Sequence, residues 1–312
     1  MKISTLLKHP CRIWNVPASK GWFDRLPDEL CLRLLFRASL GTWPDLTNPQ
    51  TFSEKIQWLK LHDRRPEYTV MADKYRVRDY VRDKIGGDCL IPLLGVWDDP
   101  DEIDFSSLPE QFVLKCNHNS GRGMYICRDK SRMDPEKVKA ELRRGLAQDY
   151  YLTGREWPYR DIPRKIICEK YMEEDGRADL RDYKFFCFDG TPFFCQVISD
   201  RSTRETIDFF DMDWNHQPFT GLSLPDQPYP HSASAIPRPE TLEQMKTCAA
   251  ILSAGHAFLR VDFYEINRKM YFGELTFYPA SGFGTFSPEA WNRRLGDLLL
   301  LPASSPSGQS AL

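Results

Sequence analysis

Arg260, Asp262, Glu274 and Thr276 are set among apolar neighbours in two runs near the end of the chain, FLRVDFY and MYFGELTF, joined by EINRK. If Asn267, Arg268 and Lys269 form a three-residue hairpin loop, Asp262 falls opposite Glu274, Arg260 opposite Thr276 and Tyr264 opposite Phe272, all on one face. Two carboxylates side by side repel unless a cation lies between them. Paired oxygen ligands with few other donors suit Mg2+, which keeps several waters and takes phosphate oxygens as well. The alternative is a carboxylate that points to solvent or pairs with Arg260. The opposite face, with Val261, Phe263, Gly273 and Leu275, reads as core.

A second constellation is FVLKCNHNSGRGMYI, a strand, a glycine-containing loop and another strand. Gly121 and Gly123 let backbone N–H groups approach phosphate oxygens, Ser120 lies beside them, and Lys115 and Arg122 supply positive charge. The motif is neither a Walker A loop nor a GxGxxG fingerprint, and a plain hairpin turn would read the same way. His118 in this loop is either a phosphate contact or a surface imidazole. Lys74 follows Asp73 at the expected start of a helix, where a solvated charge is the bland reading. Lys184 lies inside YKFFCF, too apolar to expose, so an anion is its natural partner and core snorkelling the alternative. KIICEKYM ends a strand with Glu169 and Lys170 and leads through Tyr171 and Met172 into a polar connection. Such an exit can present backbone groups and packing surface to a planar base, or be a buried strand with one edge glutamate. The six histidines are dispersed, and no HExxH or Ser-His-Asp spacing competes.

Elements that would hold these groups follow from periodicity. An amphipathic helix is expected over Pro27–Ala38 with Leu30, Leu34 and Leu35 on one face, an N-terminal helical extension covering 1–50. Thr51 and Glu54 make a capping box that opens TFSEKIQWLKL, where Phe52, Ile56 and Leu59 recur at helical spacing. A helix over Asp73–Lys84 ends at Gly86-Gly87. Strands are expected at 90–97, 112–117, 123–129 and 165–172, with a charged helix over Asp134–Asp149. DYKFFCFDGTPFFCQVIS is a hairpin around Asp189-Gly190. A Pro-, Ser- and Asp-rich loop over about 212–238, a helix over Glu240–Ser253, the second hairpin and a closing helix over Pro288–Leu300 complete the chain, with 303–312 a disordered tail.

The 312 residues carry 41% hydrophobic side chains, enough for a large core. A net charge of -2 excludes a general nucleic-acid or membrane-surface binder, so an anionic ligand must be caught by local positive charge. Nine cysteines, odd in number and without CxxC spacing, read as buried thiols in a reducing cytoplasm. MKISTLLKHP is too short in apolar residues for a signal segment, and no stretch reaches the length of a spanning helix.

The order of these pieces, with the phrases TFSEKIQWLKL, DKYRVRDYV, FVLKCNHNSGRG, DYKFFCFDG, RVDFY and FGELTFYPASG, resembles the TupA-like ATP-grasp family across about 48–300. That resemblance implies an α+β ATP-grasp fold over 51–302, with two subdomains (about 86–172, a lid, and about 173–302, metal-binding) that grip ATP between antiparallel sheets. It implies that Lys74 and Lys115 hold ATP phosphates under the Ser120-Gly121-Arg122-Gly123 lid, and that Glu169, Lys170, Tyr171 and Met172 cradle adenine and ribose. Lys184 and Arg260 would act on the phosphates, and Asp262 and Glu274 would bind Mg2+. Thr276 stands where many ATP-grasp ligases have a metal-binding asparagine, which leaves the number of metals open. The implied activity is a carboxylate–amine ligase working through an acyl phosphate, joining an amino acid or amine to a uronic-acid-type carboxylate in surface polysaccharide biosynthesis. Such an enzyme is expected in the cytoplasm, without nucleic-acid partners, and in peripheral association with a glycan assembly complex. An ATP-grasp kinase is one alternative. A glycosyltransferase using Asp211-Met212-Asp213 is another.

Overall fold

The computed structural model describes residues 21–174, 179–223 and 229–302. Four helices open it: α1 (Asp28–Leu40), α2 (Phe52–His62), α3 (Glu67–Ala72) and α4 (Val77–Ile85). The capping box forms as expected, with Thr51 Oγ1 accepting from the Glu54 amide at 3.3 Å and Glu54 Oε2 accepting from the Thr51 amide at 3.0 Å. This satisfies two otherwise orphaned helix-start donors. In α1 the buried residues are Cys31, Leu32, Leu35, Phe36 and Ala38, with Cys31 and Leu35 packed on Phe23 and Leu34 partly buried against them, while Leu30 is exposed, which removes it from the expected Leu30–Leu34–Leu35 stripe. Helix α4 begins later than expected. The Asp73 carboxylate accepts from the Tyr75 and Arg76 amides and from Asn117, which closes a turn and leaves Lys74 in it.

The first sheet contains β1 (Leu93–Trp97), β2 (Phe112–Cys116), β3 (Met124–Cys127) and β4 (Ile166–Lys170), all antiparallel in the order β1-β4-β2-β3. Strand alternation divides its residues. Phe112, Leu114, Cys127, Ile166 and Cys168 pack on Val138 and Leu142 of α5 (Pro135–Ala147). Val113, Lys115, Met124, Ile126 and Glu169 emerge on the other face. The short α6 (Tyr150–Gly154) follows α5.

The second sheet is larger: β5 (Asp182–Phe188), β6 (Thr191–Ser199), β7 (Thr206–Asp211), β9 (Phe258–Ile266) and β10 (Lys269–Thr276), in the order β10-β9-β5-β6-β7. Helix α7 (Leu242–Ser253) packs against β5, β6 and β9 on one face. On the other, Phe52 of α2 meets Phe258 at 5.0 Å and Phe186 at 6.5 Å between ring centroids. The remainder of that face is polar and carries Lys184, Arg260 and Asp262. The stretch 212–238, expected as loop, contains β8 (Thr220–Ser223), which pairs with β11 (Thr285–Ser287). Helix α8 (Ala290–Leu298) closes the described chain against α2. The expected tail at 303–312 lies outside the described residues. No helix among them is long and apolar enough to cross a membrane.

Candidate active site

The β9–β10 hairpin turns through two residues, Asn267 and Arg268, both in the left-handed region, rather than three. Tyr264 therefore faces Tyr271, not Phe272. A bulge at Gly273 then shifts the register by one, so Asp262 still faces Glu274 and Arg260 faces Thr276.

The cation between the two carboxylates is a side chain. Arg260 donates from Nε to Asp262 Oδ1 and from Nη2 to Oδ2, both at 2.7 Å, and Nη2 also reaches Glu274 Oε1 at 2.9 Å and Thr276 Oγ1 at 3.0 Å. Lys184, opposite Asp262 on β5, donates to Asp262 Oδ2 and lies 3.9 Å from Asp182. Asp262 keeps only 2% of its surface exposed and is saturated by these cations, whereas the Glu274 side chain keeps 40%. Burial works to raise the Glu274 carboxyl, but Lys184, Arg260, Lys74 and Lys115 outweigh it and bring it down to about 2. Burial would likewise lower the Arg260 guanidinium, yet Asp262 and Glu274 hold it above its ordinary range.

The first sheet brings Lys115 to the same place, and the turn before α4 brings Lys74. Lys115 pairs with Glu169 at 2.6 Å, and Arg78 holds the other oxygen of that carboxylate at 3.4 Å. Glu169 thus anchors Lys115 near the end of β4, beside the Lys170–Met172 exit. Lys74 donates to the Asn119 carbonyl at 2.5 Å at the base of the glycine loop, and burial depresses its ammonium, with Glu274 opposing and Lys115 adding to the effect. Of that loop, Ser120, Gly121 and Arg122 are exposed. Arg122 shares an outer groove with Glu141 and Arg144, away from the carboxylates. Gly123 has φ +67°, and a Cβ there would lie 2.6 Å from Cys116 Sγ and 2.7 Å from the Gly145 backbone, so the loop root abuts α5. His118 is neither on the surface nor at the lysines. It is buried with Nε2 against the Gln148 carbonyl at 3.1 Å, and burial lowers its pKa.

Between the sheets lies a cavity of about 300 Å3, at the small end of the roughly 300–1,000 Å3 range of small-molecule sites. Its walls include Val113, Lys115, Glu169 and Lys170–Met172 from the first sheet, and Asp182, Tyr264 and Gly273 from the second. Met124 and Ile126 stand 47% and 45% exposed against it, an apolar platform that otherwise would have no reason to face water.

A family model described as TupA-like ATP-grasp matches residues 54–300. The chain belongs to the TupA-like ATP-grasp family. Its α+β architecture of two antiparallel sheets around a cleft is the ATP-grasp fold. Two solved D-alanine–D-alanine ligases are similar in structure. The one from Bacillus anthracis, complexed with ATP, is 15% identical with a TM-score of 0.38, over 66% of this chain and 53% of that one. The one from Helicobacter pylori is 13% identical with a TM-score of 0.43, over 80% and 69%. The ATP-grasp ligase PsnB, complexed with a minimal precursor, is 11% identical with a TM-score of 0.37, over 68% and 54%. The chain therefore spans about half the length of the Bacillus ligase and of PsnB. At these TM-scores, membership rests on the sequence match. No curated protein matches the chain in sequence.

Sequence reasoning missed a buried polar cluster near the glycine loop and Glu274. Tyr150 of α6 lies beside Ser120 of the glycine loop and within the field of Glu156, Glu274 and Arg260, and burial raises its hydroxyl pKa. Behind it, Lys60 is fully buried and donates to the Gly154 carbonyl at 2.7 Å, the Ser281 carbonyl at 2.8 Å, Ser281 Oγ at 3.0 Å and Gln57 Oε1 at 3.0 Å. Burial brings its pKa down to about 7 against the pull of Glu156. Four acceptors nonetheless suit the three protons of an ammonium better than the two of an amine. A signal was present: Lys60 follows Phe52 and Ile56 at spacings of four, on the buried stripe of α2.

Proposed function

We propose that this ATP-grasp protein is an ATP-dependent carboxylate–amine ligase. The observation that carries the reading is the gathering of Lys115 from the first sheet, Lys184 and Arg260 from the second, and Lys74 from the turn before α4 around Glu274, next to Gly273 on the wall of the cavity. Adenine and ribose would lie on Met124 and Ile126, with Glu169 to Met172 alongside, and the triphosphate would run toward the lysines. The Ser120–Gly123 loop would cover it, its backbone N–H groups adding donors.

The donor set fits a hard cation: two carboxylates and a hydroxyl, all oxygen. Glu274 Oε2 accepts no hydrogen bond among the described residues, so it is the oxygen most ready for Mg2+, with Thr276 beside it. Asp262 would join only as Lys184 turns from it toward phosphate. Bound Mg2+ would neutralise charge on the phosphate oxygens.

In the reaction, a substrate carboxylate oxygen attacks the γ-phosphorus and ADP leaves, giving an acyl phosphate. An amine then attacks the carbonyl carbon, phosphate departs and the amine loses a proton, leaving an amide. The chain's part is positioning and electrostatics: Arg260 and the lysines face charge that develops on the transferring group. The loop and Tyr150 exclude the water that would hydrolyse the acyl phosphate. By resemblance to the family, the carboxylate is of the uronic-acid type and the amine an amino acid or amino sugar, in surface polysaccharide assembly. The eight described cysteines are all free and buried, which supports a reducing compartment such as the cytoplasm. The Asp211-Met212-Asp213 motif lends no support to nucleotide-sugar chemistry, because Asp211 closes its own turn by accepting from the Asp213 and Asn215 amides.

The test is Mg-dependent ATP turnover with panels of uronic acids and amines, following ADP and phosphate separately. Phosphate release that needs both a carboxylate and an amine supports the ligase. ADP without free phosphate makes it a kinase, and no turnover with any pairing refutes the proposal.

A further inference from the structure

The five-stranded sheet carries a second polar convergence on the face away from the cleft. Asp208 of β7 lies in one cross-strand row with Val197, Tyr183 and Phe263. That row alternates with the row of Asp262, Lys184 and Gln196, so Asp208 emerges on the α7 side. β7 and β9 are three strand spacings apart, about 14 Å at roughly 4.8 Å per spacing. The two clusters share neither a residue nor a face.

Asp208 is 2% exposed, and a carboxylate so buried needs partners. Its Oδ2 accepts from the Ser232 amide at 3.0 Å. Its Oδ1 meets both His216 Nε2 at 2.8 Å and His231 Nδ1 at 2.9 Å. The three ligand atoms lie within 4.8 Å of one another, and the two rings meet edge to face at 4.9 Å. One histidine comes from the segment after β7 and the other from the segment before α7. Both remain accessible, with side chains 46% and 39% exposed.

Two ring nitrogens on a single carboxylate oxygen require two protons there if the contacts are hydrogen bonds. One cation replaces both protons and satisfies all three side chains at once. We propose that Asp208, His216 and His231 form a transition-metal site that takes Zn2+. Two imidazole nitrogens and one carboxylate oxygen are a borderline N/O set, suited to zinc and poor for Mg2+ or Ca2+. Tetrahedral zinc with bonds of about 2.0–2.2 Å holds its ligand atoms roughly 3.4 Å apart, so each ring nitrogen needs to draw back from Oδ1 by about half an ångström, while the two nitrogens, already within 4.8 Å of each other, settle to the same spacing. The Ser232 amide orients the carboxylate in the manner of an outer-shell partner. The ion would clasp two irregular segments onto the edge strand of the sheet and leave a fourth position toward solvent.

The experiment uses the tag-free full chain, stripped with EDTA and dialysed, then titrated with ZnCl2 by calorimetry and by competition with a chromophoric chelator. One Zn2+ per chain is expected. His216→Ala and His231→Ala should each weaken binding by more than about 100-fold, beyond the 10–100-fold typical of outer-shell changes. Asp208→Asn should do the same, but the histidine variants, at exposed positions, keep the test valid if that one fails to fold. His62→Ala and Glu274→Gln should leave the affinity unchanged. In Co2+-loaded protein a visible absorption band should appear and be lost in folded His216→Ala. Absence of saturable zinc binding, its survival in the His216→Ala/His231→Ala double variant, or its loss in Glu274→Gln overturns the assignment.

Discussion

Asp262→Asn and Glu274→Gln remove one negative charge each from facing positions, yet the geometry assigns them different consequences. Asp262 is 2% exposed and takes both nitrogens of Arg260 and the Lys184 ammonium. Removing its charge leaves two buried cations facing an amide, and breaking a buried pair from one side costs about 3–5 kcal/mol. A domain of 150–250 residues loses roughly 2–4 °C of Tm per kcal/mol, and this longer chain belongs at the low end, so a fall of about 6–10 °C is expected. Glu274, 40% exposed and bonded to Arg260 through one oxygen, behaves as a partly screened pair worth about 1 kcal/mol or less, a shift of about 2 °C. Activity should rank them differently: under the proposed ligase reaction Glu274 would face the reacting phosphates, so Glu274→Gln should lose about 10²–10³ in kcat while remaining folded. Scanning calorimetry with and without ATP, alongside the turnover assay, reads both effects. ATP without Mg2+ should return part of the Asp262→Asn loss, about 2.7 kcal/mol at a hundredfold excess over Kd, because its phosphates supply the missing anion. If Asp262→Asn melts within about 2 °C of the parent, or Glu274→Gln is the less stable of the two, the reasoning fails.

Two further outcomes follow from the same residues. Lys60→Met strands the Gly154 and Ser281 carbonyls and should cost about 3–5 kcal/mol in urea unfolding, with kcat falling as the Pro279–Gly282 turn after β10 loosens. The Glu274 carboxyl is held at about 2 against an ordinary 4.5, so its stabilising contribution is present above about pH 4.5 and is lost as pH falls through about 2. Glu274→Gln should therefore flatten the fall in Tm across that window, and added salt should shrink the difference between the two proteins.

Much of the site was legible because strand alternation is a strong constraint. Alternation puts Arg260 with Asp262, and Glu274 with Thr276, on one face of their own strands, and a lysine inside YKFFCF on a face of its own; that the two pairs meet depends on the turn and the bulge after it. The hairpin turn itself was not legible: Asn267 and Arg268 both adopt positive φ, at 50° and 63°, and an arginine there carries no turn signal. Contacts distant in sequence were equally hidden. Glu169 reads as the exit of a strand, and only the fold reveals Lys115 and Arg78 on it. Lys60 was passed over because a lysine in a surface helix is ordinarily solvated, and its four acceptors come from three separate elements. The pairing of β8 with β11 had no local pattern to announce it: TGLS and TFS are too short for alternation to register.

The bulge at Gly273 explains why the carboxylates meet at all. A two-residue turn, continued without interruption, pairs Tyr271 with Tyr264 and Phe272 with Phe263, and would then set Glu274 against Val261, on the face that packs under α7. A one-residue slip of this kind turns every later side chain to the other side of the sheet. Inserting Gly273 as an unpaired residue restores the phase, so Glu274 lands on Asp262 and Leu275 returns to the core beside Val261. Glycine suits the inserted position, because a Cβ at Gly273 would lie 3.1 Å from the Asp262 carbonyl oxygen and 3.3 Å from the Tyr264 ring, tight contacts that these neighbours would have to relieve. The Asp189-Gly190 hairpin uses the same device, with a two-residue turn followed by an unpaired Phe193 that shifts the β5–β6 register by one. In each hairpin the tight turn sets the local twist, and the bulge that follows, a feature common beside active sites, decides which side chains face the cleft.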